Sequence, residues 1–424
     1  MVKYLIIGGS AGGVGAVEAI REVDSTGTLA VVSEEAFPQY SRPMISEYVS
    51  QEATLATMKY RSEQFWKKHN VHAYTGKTAV KVDFDKKIVE LDDGQKLDYE
   101  KLLLATGGRP VLPKMDGVTK DGVFTFTELA SAEGINSKLL HAKSAVVLGG
   151  GLIGVSVADA LVKRGIKVTL VEVNKRLIHV VLDEKASHLA EKVIKATGTK
   201  LVLGQTVKQI LGKQGNPNEV DGVLLQDDTV ISCDLVVLAV GVNPRVELVE
   251  NSKVEVKKGI IVDRFMQTKI PDVYACGDAT EAHDFLVKEN RRLPLWPLAH
   301  VGGRVAGYNM AGQKTEYEGG TVMSSMNYFR LPIISVGKIN PEDSNDYEIL
   351  VDVQPEKPAY KKIVLKDDVI VGFIFLGEVE KAGILFRLIK NHVNVAEVKE
   401  KLLSKEFGII SLPESLRKEM FVVH

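Results

Sequence analysis

Residues 144–172 read SAVVLGGGLIGVSVADALVKRGIKVTLVE, and the fold is decided in this stretch. Ser144 to Leu148 is an apolar run of strand type, followed by Gly149-Gly150-Gly151-Leu152-Ile153-Gly154. A helical segment to Arg164 and a second strand, KVTLV, ending at Glu172, complete the unit. Strand, glycine loop, helix and strand within about 30 residues is the plan of a dinucleotide-binding βαβ unit. In that plan Gly149 permits the tight turn, Gly151 lets the backbone approach a pyrophosphate, and Gly154 lets the helix close on the strand. Leu152 and Ile153 open the helix, whose positive end points at the phosphates.

The same arrangement occurs at the start of the chain. Residues 3–7 (KYLII) lead into Gly8-Gly9-Ser10-Ala11-Gly12-Gly13, an alanine-rich helix ending near Arg21, and a strand Leu29 to Ser33 followed by Glu34. Gly8 and Gly13 fit the pattern, while Ser10 takes the middle glycine's place. Each copy then runs through a helical segment to a strand ending in Thr75-Gly76 or Leu203-Gly204. Short strands turning at Asp92-Asp93-Gly94 or at Asp227-Asp228 follow, and each copy closes with LLLATG (102–107) or LVVLAVG (235–241). A single GxGxxG is weak evidence. Two, each in context and each with a downstream acid, predict two nucleotide sites on two parallel α/β sheets.

The bulk properties agree with a multidomain globular protein. At 424 residues the chain exceeds one compact core. A formal net charge of -1 offers no case for nucleic acid or an anionic membrane as partner. No apolar run approaches a membrane span, and the N-terminal strand flows directly into the glycine loop rather than to a cleavage site, so a cytoplasmic setting is expected. Cys233 and Cys276 are the two cysteines and form no CxxC or CxxxxC pair. If the chain is a redox enzyme, its electrons do not pass through a local dithiol, and no metal site is expected.

Five motifs in order, GGSAGG (8–13), ATGGRP (105–110), GGGLIG (149–154), AVGVNP (239–244) and YACGDA (274–279), make the chain resemble the FAD-dependent pyridine nucleotide-disulfide oxidoreductases over about residues 1–320. The resemblance implies a glutathione reductase-like α/β fold. It comprises a discontinuous FAD domain (1–112 and 246–318), an NAD domain (113–245) and a C-terminal α+β domain (319–424). It implies that the first loop (Gly8, Ser10, Ala11, Gly12, Gly13) with Ala105, Thr106, Gly107 and Gly277 holds FAD, and that the second loop with Gly241 holds NADH. Glu34 would take the adenosine ribose and Asp278 the ribityl hydroxyls; the small residues after Gly277-Asp278 could open a helix, with its N-cap as the plain alternative for Asp278. Arg42 would lie by the pyrophosphate, or else be an exposed surface arginine. Trp296 would wall the isoalloxazine or simply pack the core. An acid at Glu172 accepts from a ribose 2′-hydroxyl and repels a 2′-phosphate, which favours NADH, although Lys175 and Arg176 lie near.

The chain also departs from that family. Phe37 to Val49 (FPQYSRPMISEYV), expected as the helix that carries the cysteine pair in dithiol members, has no cysteine and instead resembles the RPxLSK segment of rubredoxin and ferredoxin reductase-like members. Glu47 replaces its lysine, and Ser156 stands where GLIGxE has glutamate. Both partners of a charge pair have changed together, which strands neither alone. Whether Glu47 faces the flavin or solvent stays open. For His300, helix packing is favoured over proton donation, and both cysteines are expected to be small core residues.

After residue 319, the segments 347–353 and 361–377 read as strands with a turn at Asp367-Asp368, and 382–393 as an amphipathic helix. This resembles the family's C-terminal cap, which often carries subunit contacts. The resulting expectation is an NADH:acceptor oxidoreductase. It passes hydride from nicotinamide C4 to flavin N5 and then electrons to an iron–sulfur or rubredoxin-like protein or a partner subunit, as a homodimer or within a larger complex. A self-contained NADH oxidase that reduces oxygen and a non-catalytic nucleotide-binding or redox-sensing subunit are the alternatives.

Overall fold

The structure, a computed structural model, describes residues 1–424 except 343, 355, 415 and 418–424. It divides into two compact units. One comprises residues 1–111, 127–129 and 242–320, the other 112–126, 130–241 and 321–424.

In the first unit the strand Val2–Ile7 lies between Leu29–Ser33 and Lys96–Leu104, parallel to both. Val71–Thr75 extends the parallel sheet on one side and Val273–Ala275 on the other. The strands are continuous runs of Val, Ile and Leu, with Leu5, Ile6 and Leu102 to Leu104 fully buried. That is the composition of a parallel sheet covered on both faces. The helix Ala11–Val23 covers one face and packs along Trp296–Met310. Small residues let the two backbones meet: a Cβ on Gly303 would lie 2.0 Å from the Gly12 carbonyl oxygen, and one on Gly307 2.5 Å from that of Ala16.

The second unit repeats this plan in the order 200–203, 167–172, 144–148, 235–238, 123–125, all parallel. A three-stranded antiparallel sheet (207–213, 216–225, 230–232) corresponds to the antiparallel strands 79–83 and 88–91 of the first unit. Residues 321–424 are grouped with this second compact unit. They build a five-stranded antiparallel sheet of 323–328, 331–337, 369–376, 359–366 and 348–354, backed by the helix Ala382–Lys390. Asp367 and Asp368 both have positive φ, 51° and 57°, the two-residue turn that matches hairpin twist. Tyr360 Oη and Lys362 Nζ donate to Asp183 at 2.6 and 3.1 Å, binding this sheet to the residue that caps the helix Glu184–Ala196.

Two local expectations are corrected. The segment after Gly277-Asp278 forms one 3-10 turn and then a strand, Thr280–Asp284, instead of opening a helix. Thr280 Oγ1 donates back to the Gly277 carbonyl at 2.8 Å and the strand pairs with Glu289–Arg292, so the backbone is already committed to a ladder. Residues 37–49 are mostly irregular, with a 3-10 turn at Arg42–Met44 and helix only over Ile45–Val49. Pro43 supplies no N–H and biases the residue before it against the helix.

Candidate functional site

Open parallel sheets bind ligands beyond their carboxyl ends, where strand order reverses. In the first unit that point lies between Val2–Ile7 and Lys96–Leu104, and Gly8 and Ala105 follow these strands. In the second it lies between Ser144–Leu148 and Leu235–Leu238, with Gly149 and Ala239 next. The two sites match closely. Gly8 and Gly149 have φ of +120° and +101°. A Cβ on either would lie 2.1 or 2.3 Å from the carbonyl oxygen of Ala105 or Ala239. The third glycines are as tightly placed: a Cβ on Gly13 would lie 1.9 Å from the Gly8 oxygen, and one on Gly154 1.8 Å from the Gly149 oxygen. The closing ATG and AVG segments are thus the walls against which the glycine loops turn. Neither Ser10 nor Gly151, the N-caps of the two helices, places a side-chain hydrogen bond on the first turn. The helix N-termini therefore keep N–H groups for an anion. Nothing lies within 4 Å of where a Cβ on Gly151 would be, so the loop backbone is open to a ligand.

The acids behave less simply than their positions foretell. Glu34, half exposed, is ion-paired with Arg245, which also contacts Glu128 at 3.2 Å. Arg245 is a residue that sequence reading missed, since it lies 211 positions from Glu34. Its only signal is its place directly after AVGVNP. Arg42 is no free surface arginine. It donates to Glu35 Oε2 at 2.6 Å and to the Thr127 carbonyl at 2.8 Å, and it lies over the Tyr40 ring. Glu172 is buried and accepts from the Gly150 N–H at 2.5 Å, the Asn174 N–H at 2.8 Å and Asn174 Nδ2 at 2.5 Å. It braces the loop as well as standing at the strand end. Arg176 is committed to the Leu182 carbonyl and Ser187.

Asp278 lies inside the 3-10 turn, whose cap is Cys276, so the N-cap alternative is excluded. Its carboxylate is half-buried and accepts no hydrogen bond from any described residue. Burial raises its pKa, against the opposing pull of Arg42 and Arg292. A desolvated acceptor without donors fits a ligand that brings hydroxyl groups. The buried Nε1 of Trp296 and Nε of Arg292 also lack partners among the described residues. Trp296 stands edge-on to Tyr60 at 4.4 Å, and Tyr60 Oη shares a hydrogen bond with His300 Nδ1 at 2.9 Å. His300 is therefore engaged with Tyr60, and burial lowers its pKa. Ser156 donates to the Ile153 carbonyl at 2.8 Å, and Glu47 accepts from Ser46 Oγ at 2.9 Å, so both are satisfied locally.

Residues 2–312 match the family model described as pyridine nucleotide-disulphide oxidoreductase. The chain belongs to the pyridine nucleotide-disulphide oxidoreductase family. Residues 323–393 match a second model, the rubredoxin NAD+ reductase C-terminal domain. The chain is 30% identical to the NADH-dependent phenylglyoxylate dehydrogenase subunit epsilon of Aromatoleum evansii, covering 96% of each chain. It is 28% identical to the nitrite reductase [NAD(P)H] of Bacillus subtilis over 96% of this chain and 50% of that one, so it spans about half of that relative's length. A solved NAD-dependent persulfide reductase from A. fulgidus superposes with a TM-score of 0.87 at 26% identity, covering 94% of this chain and 79% of that one. FAD and a nicotinamide nucleotide are the cofactors of this family of oxidoreductases, and the two glycine cradles and the donorless Asp278 fit them.

Both thiols of this family member are buried, and burial pushes each up to about 12. Neither is a thiolate at neutral pH, and thiolate is the reactive form. Replacing Cys233 and Cys276 by serine and alanine is expected to lower stability slightly and leave reduction of bound flavin by NADH at the wild-type rate. Stopped-flow absorbance checks this, and a folded double variant whose flavin stays oxidised contradicts it. Among the described residues no helix is long and apolar enough to cross a membrane, and no cluster of ligating side chains could hold a metal ion.

Proposed function

We propose that the chain is a cytoplasmic NADH:acceptor oxidoreductase, which takes hydride from NADH and delivers electrons to an iron–sulfur or rubredoxin-like protein or to a partner subunit. The observation that carries this reading is the pair of matched glycine cradles, one in each unit, in a chain whose only thiols are buried and protonated. FAD, when bound, supplies an N5 atom that accepts hydride from nicotinamide C4 and can release electrons one at a time. The chain's own residues bind and orient. In the first unit the loop at 8–13 with Ala105, Thr106 and Gly107 seats the FAD pyrophosphate, Asp278 accepts from the ribityl hydroxyls, and Glu34, steadied by Arg245, faces the adenosine ribose. In the second, the loop at 149–154 and Gly241 seat the dinucleotide, with Glu172 at its ribose. The names of relatives support a protein acceptor, since one is a subunit of a larger dehydrogenase. The decisive assay sets NADH-driven reduction of a rubredoxin or a [2Fe–2S] protein against oxygen consumption by the same preparation. Faster reduction of the iron protein is expected; oxygen uptake that outpaces it supports the oxidase reading instead.

Coenzyme choice follows from Glu172. A 2′-phosphate beside this carboxylate meets a like charge, which after solvent screening is unfavourable by about 1–3 kcal/mol, roughly ten- to a hundred-fold in affinity. Because Glu172 also braces Gly150 and Asn174, Glu172→Ala is expected to weaken both coenzymes while moving the NADH/NADPH ratio of kcat/KM towards NADPH. An unmoved ratio, or a wild type that prefers NADPH, contradicts the assignment.

A further inference from the structure

Ile178 has φ +53°, a left-handed conformation that a β-branched residue rarely adopts, and its side chain is buried. Such a conformation persists only where the surroundings over-determine it. Here it brings the Ile178 N–H onto the carbonyl of Gly150 at 2.8 Å. Both polar groups of Gly150 are thereby held, since Glu172 accepts from its N–H at 2.5 Å. In a planar trans peptide the carbonyl of one residue and the N–H of the next point in opposite directions. Fixing the Gly150 carbonyl on Ile178 therefore turns the Gly151 N–H away from Ile178, and that N–H donates to no described residue. The corresponding carbonyl of the first loop, that of Gly9, accepts from no described residue.

The bend at Ile178 is held from the C-terminal sheet. Its carbonyl accepts from the N–H groups of Val181 and Leu182 at 3.1 and 3.0 Å, one turn that runs directly into Asp183. Asp183 divides its carboxylate between two tasks. Oδ1 accepts from the Ala186 N–H at 3.0 Å and caps the helix Glu184–Ala196, while Oδ2 accepts from Tyr360 Oη at 2.6 Å and Lys362 Nζ at 3.1 Å. Tyr360 and Lys362 lie on the strand Ala359–Lys366 and are buried, and a lysine is kept buried only where it is paired. The Ile178 side chain lines a small apolar cavity with Leu331 and Ile333 of the same sheet.

We propose that the C-terminal sheet is a working part of the nicotinamide-nucleotide site, with Tyr360 and Lys362 as positioning residues. Through Asp183 and Ile178 they keep the Gly151 N–H aimed at the pyrophosphate before the nucleotide arrives. This rests on the reading that the loop at 149–154 seats NADH. A coenzyme that enters and leaves at every turnover gains from a loop already set, because no backbone has to be ordered on binding. A flavin that stays bound through turnover makes no such demand on the loop at 8–13.

The test compares Tyr360→Phe and Tyr360→Phe/Lys362→Met with wild type, as full chains with flavin bound. NADH and ADP-ribose, which share the pyrophosphate, are expected to bind about two- to ten-fold more weakly to both variants, most to the double one, with flavin content unchanged. Tyr360→Phe removes one hydroxyl and keeps the comparison open if the double variant folds poorly. Hydrogen exchange without nucleotide reads the hold itself. The Ile178 amide is expected to exchange faster in the variants, and the Gly149 amide, which donates to the Val171 carbonyl at 2.8 Å, at the wild-type rate. On a Gly151→Ala background the same substitutions should weaken NADH less, because the N–H they aim is already obstructed. Folded Tyr360→Phe with wild-type affinity for NADH, an Ile178 amide that exchanges as in wild type, or full additivity with Gly151→Ala overturns the proposal and leaves the loop's assignment standing. Gly151→Ala that binds NADH as wild type does removes the loop from the site, and the proposal with it.

Discussion

Asp278→Ala is expected to yield protein that purifies almost without FAD. The carboxylate has no hydrogen-bond donor among the described residues, and burial raises its pKa despite Arg42 and Arg292. In the proposed site, hydroxyl groups of a bound ribityl chain would supply the missing donors. A hydrogen bond to a charged group contributes about 1.5–3 kcal/mol, so two of them amount to roughly a hundred- to ten-thousand-fold in affinity. Asp278→Asn keeps an acceptor oxygen without the charge and should fall between. The sign of the pKa shift adds a second readout. A carboxyl whose folded pKa lies above its unfolded value weakens the fold as pH rises through the unfolded value, and the deficit is complete above the folded one. Removing Asp278 therefore relieves the flavin-free fold at neutral pH. The apo variant should melt no lower than apo wild type, while holo wild type melts well above both. A variant that purifies yellow at wild-type stoichiometry contradicts the assignment.

Gly151→Ala separates nucleotide binding from packing in the second unit. Gly151 has φ −79° and ψ −171°, which alanine adopts freely, and its added methyl meets nothing within 4 Å. The empty protein should fold and melt as wild type and keep its FAD. A dinucleotide whose pyrophosphate lies on this loop must meet the methyl. Overpacking by one methyl is unfavourable by about 1–3 kcal/mol, roughly five- to a hundred-fold in NADH affinity. Gly154→Ala is the opposite control, since its methyl would lie 1.8 Å from the Gly149 oxygen and must displace the helix whether or not nucleotide is present. Direct binding of NADH, measured by quenching of protein fluorescence, checks the contrast. Unaltered NADH affinity in folded Gly151→Ala removes this loop from the nucleotide site.

The parts of the protein that could be read from sequence are those where function constrains backbone over a short span. Gly149 and Gly154 lie five residues apart and must approach within the radius of a side chain, so the pattern announces itself, and its repetition at Gly8 and Gly13 identifies the second sheet. The hairpin at Asp367-Asp368 was legible for the same local reason. What escaped depends on partners far apart along the chain. Glu34 seemed a free carboxylate until the fold set Arg245 beside it, and Tyr60 and His300 meet across 240 positions. Glu172 was found at the strand end where an acid belongs, but its hold on Gly150 and Asn174 depends on a side-chain rotation that spacing does not encode. The segment after Asp278 was misread because small residues permit a helix, whereas pairing of Thr280–Asp284 with 289–292 is a tertiary decision. Ser156 and Glu47, conspicuous as departures from related sequences, prove to be locally satisfied.

In the proposed reaction hydride passes from NADH to a flavin held by this chain without the help of a thiol. Anaerobic mixing of the purified yellow protein with one equivalent of NADH, followed at the visible flavin band, tests that directly. The band is expected to bleach fully, at the same rate in wild type and in the chain lacking Cys233 and Cys276, and more slowly with NADPH. Bound flavin that remains oxidised under saturating NADH contradicts the account.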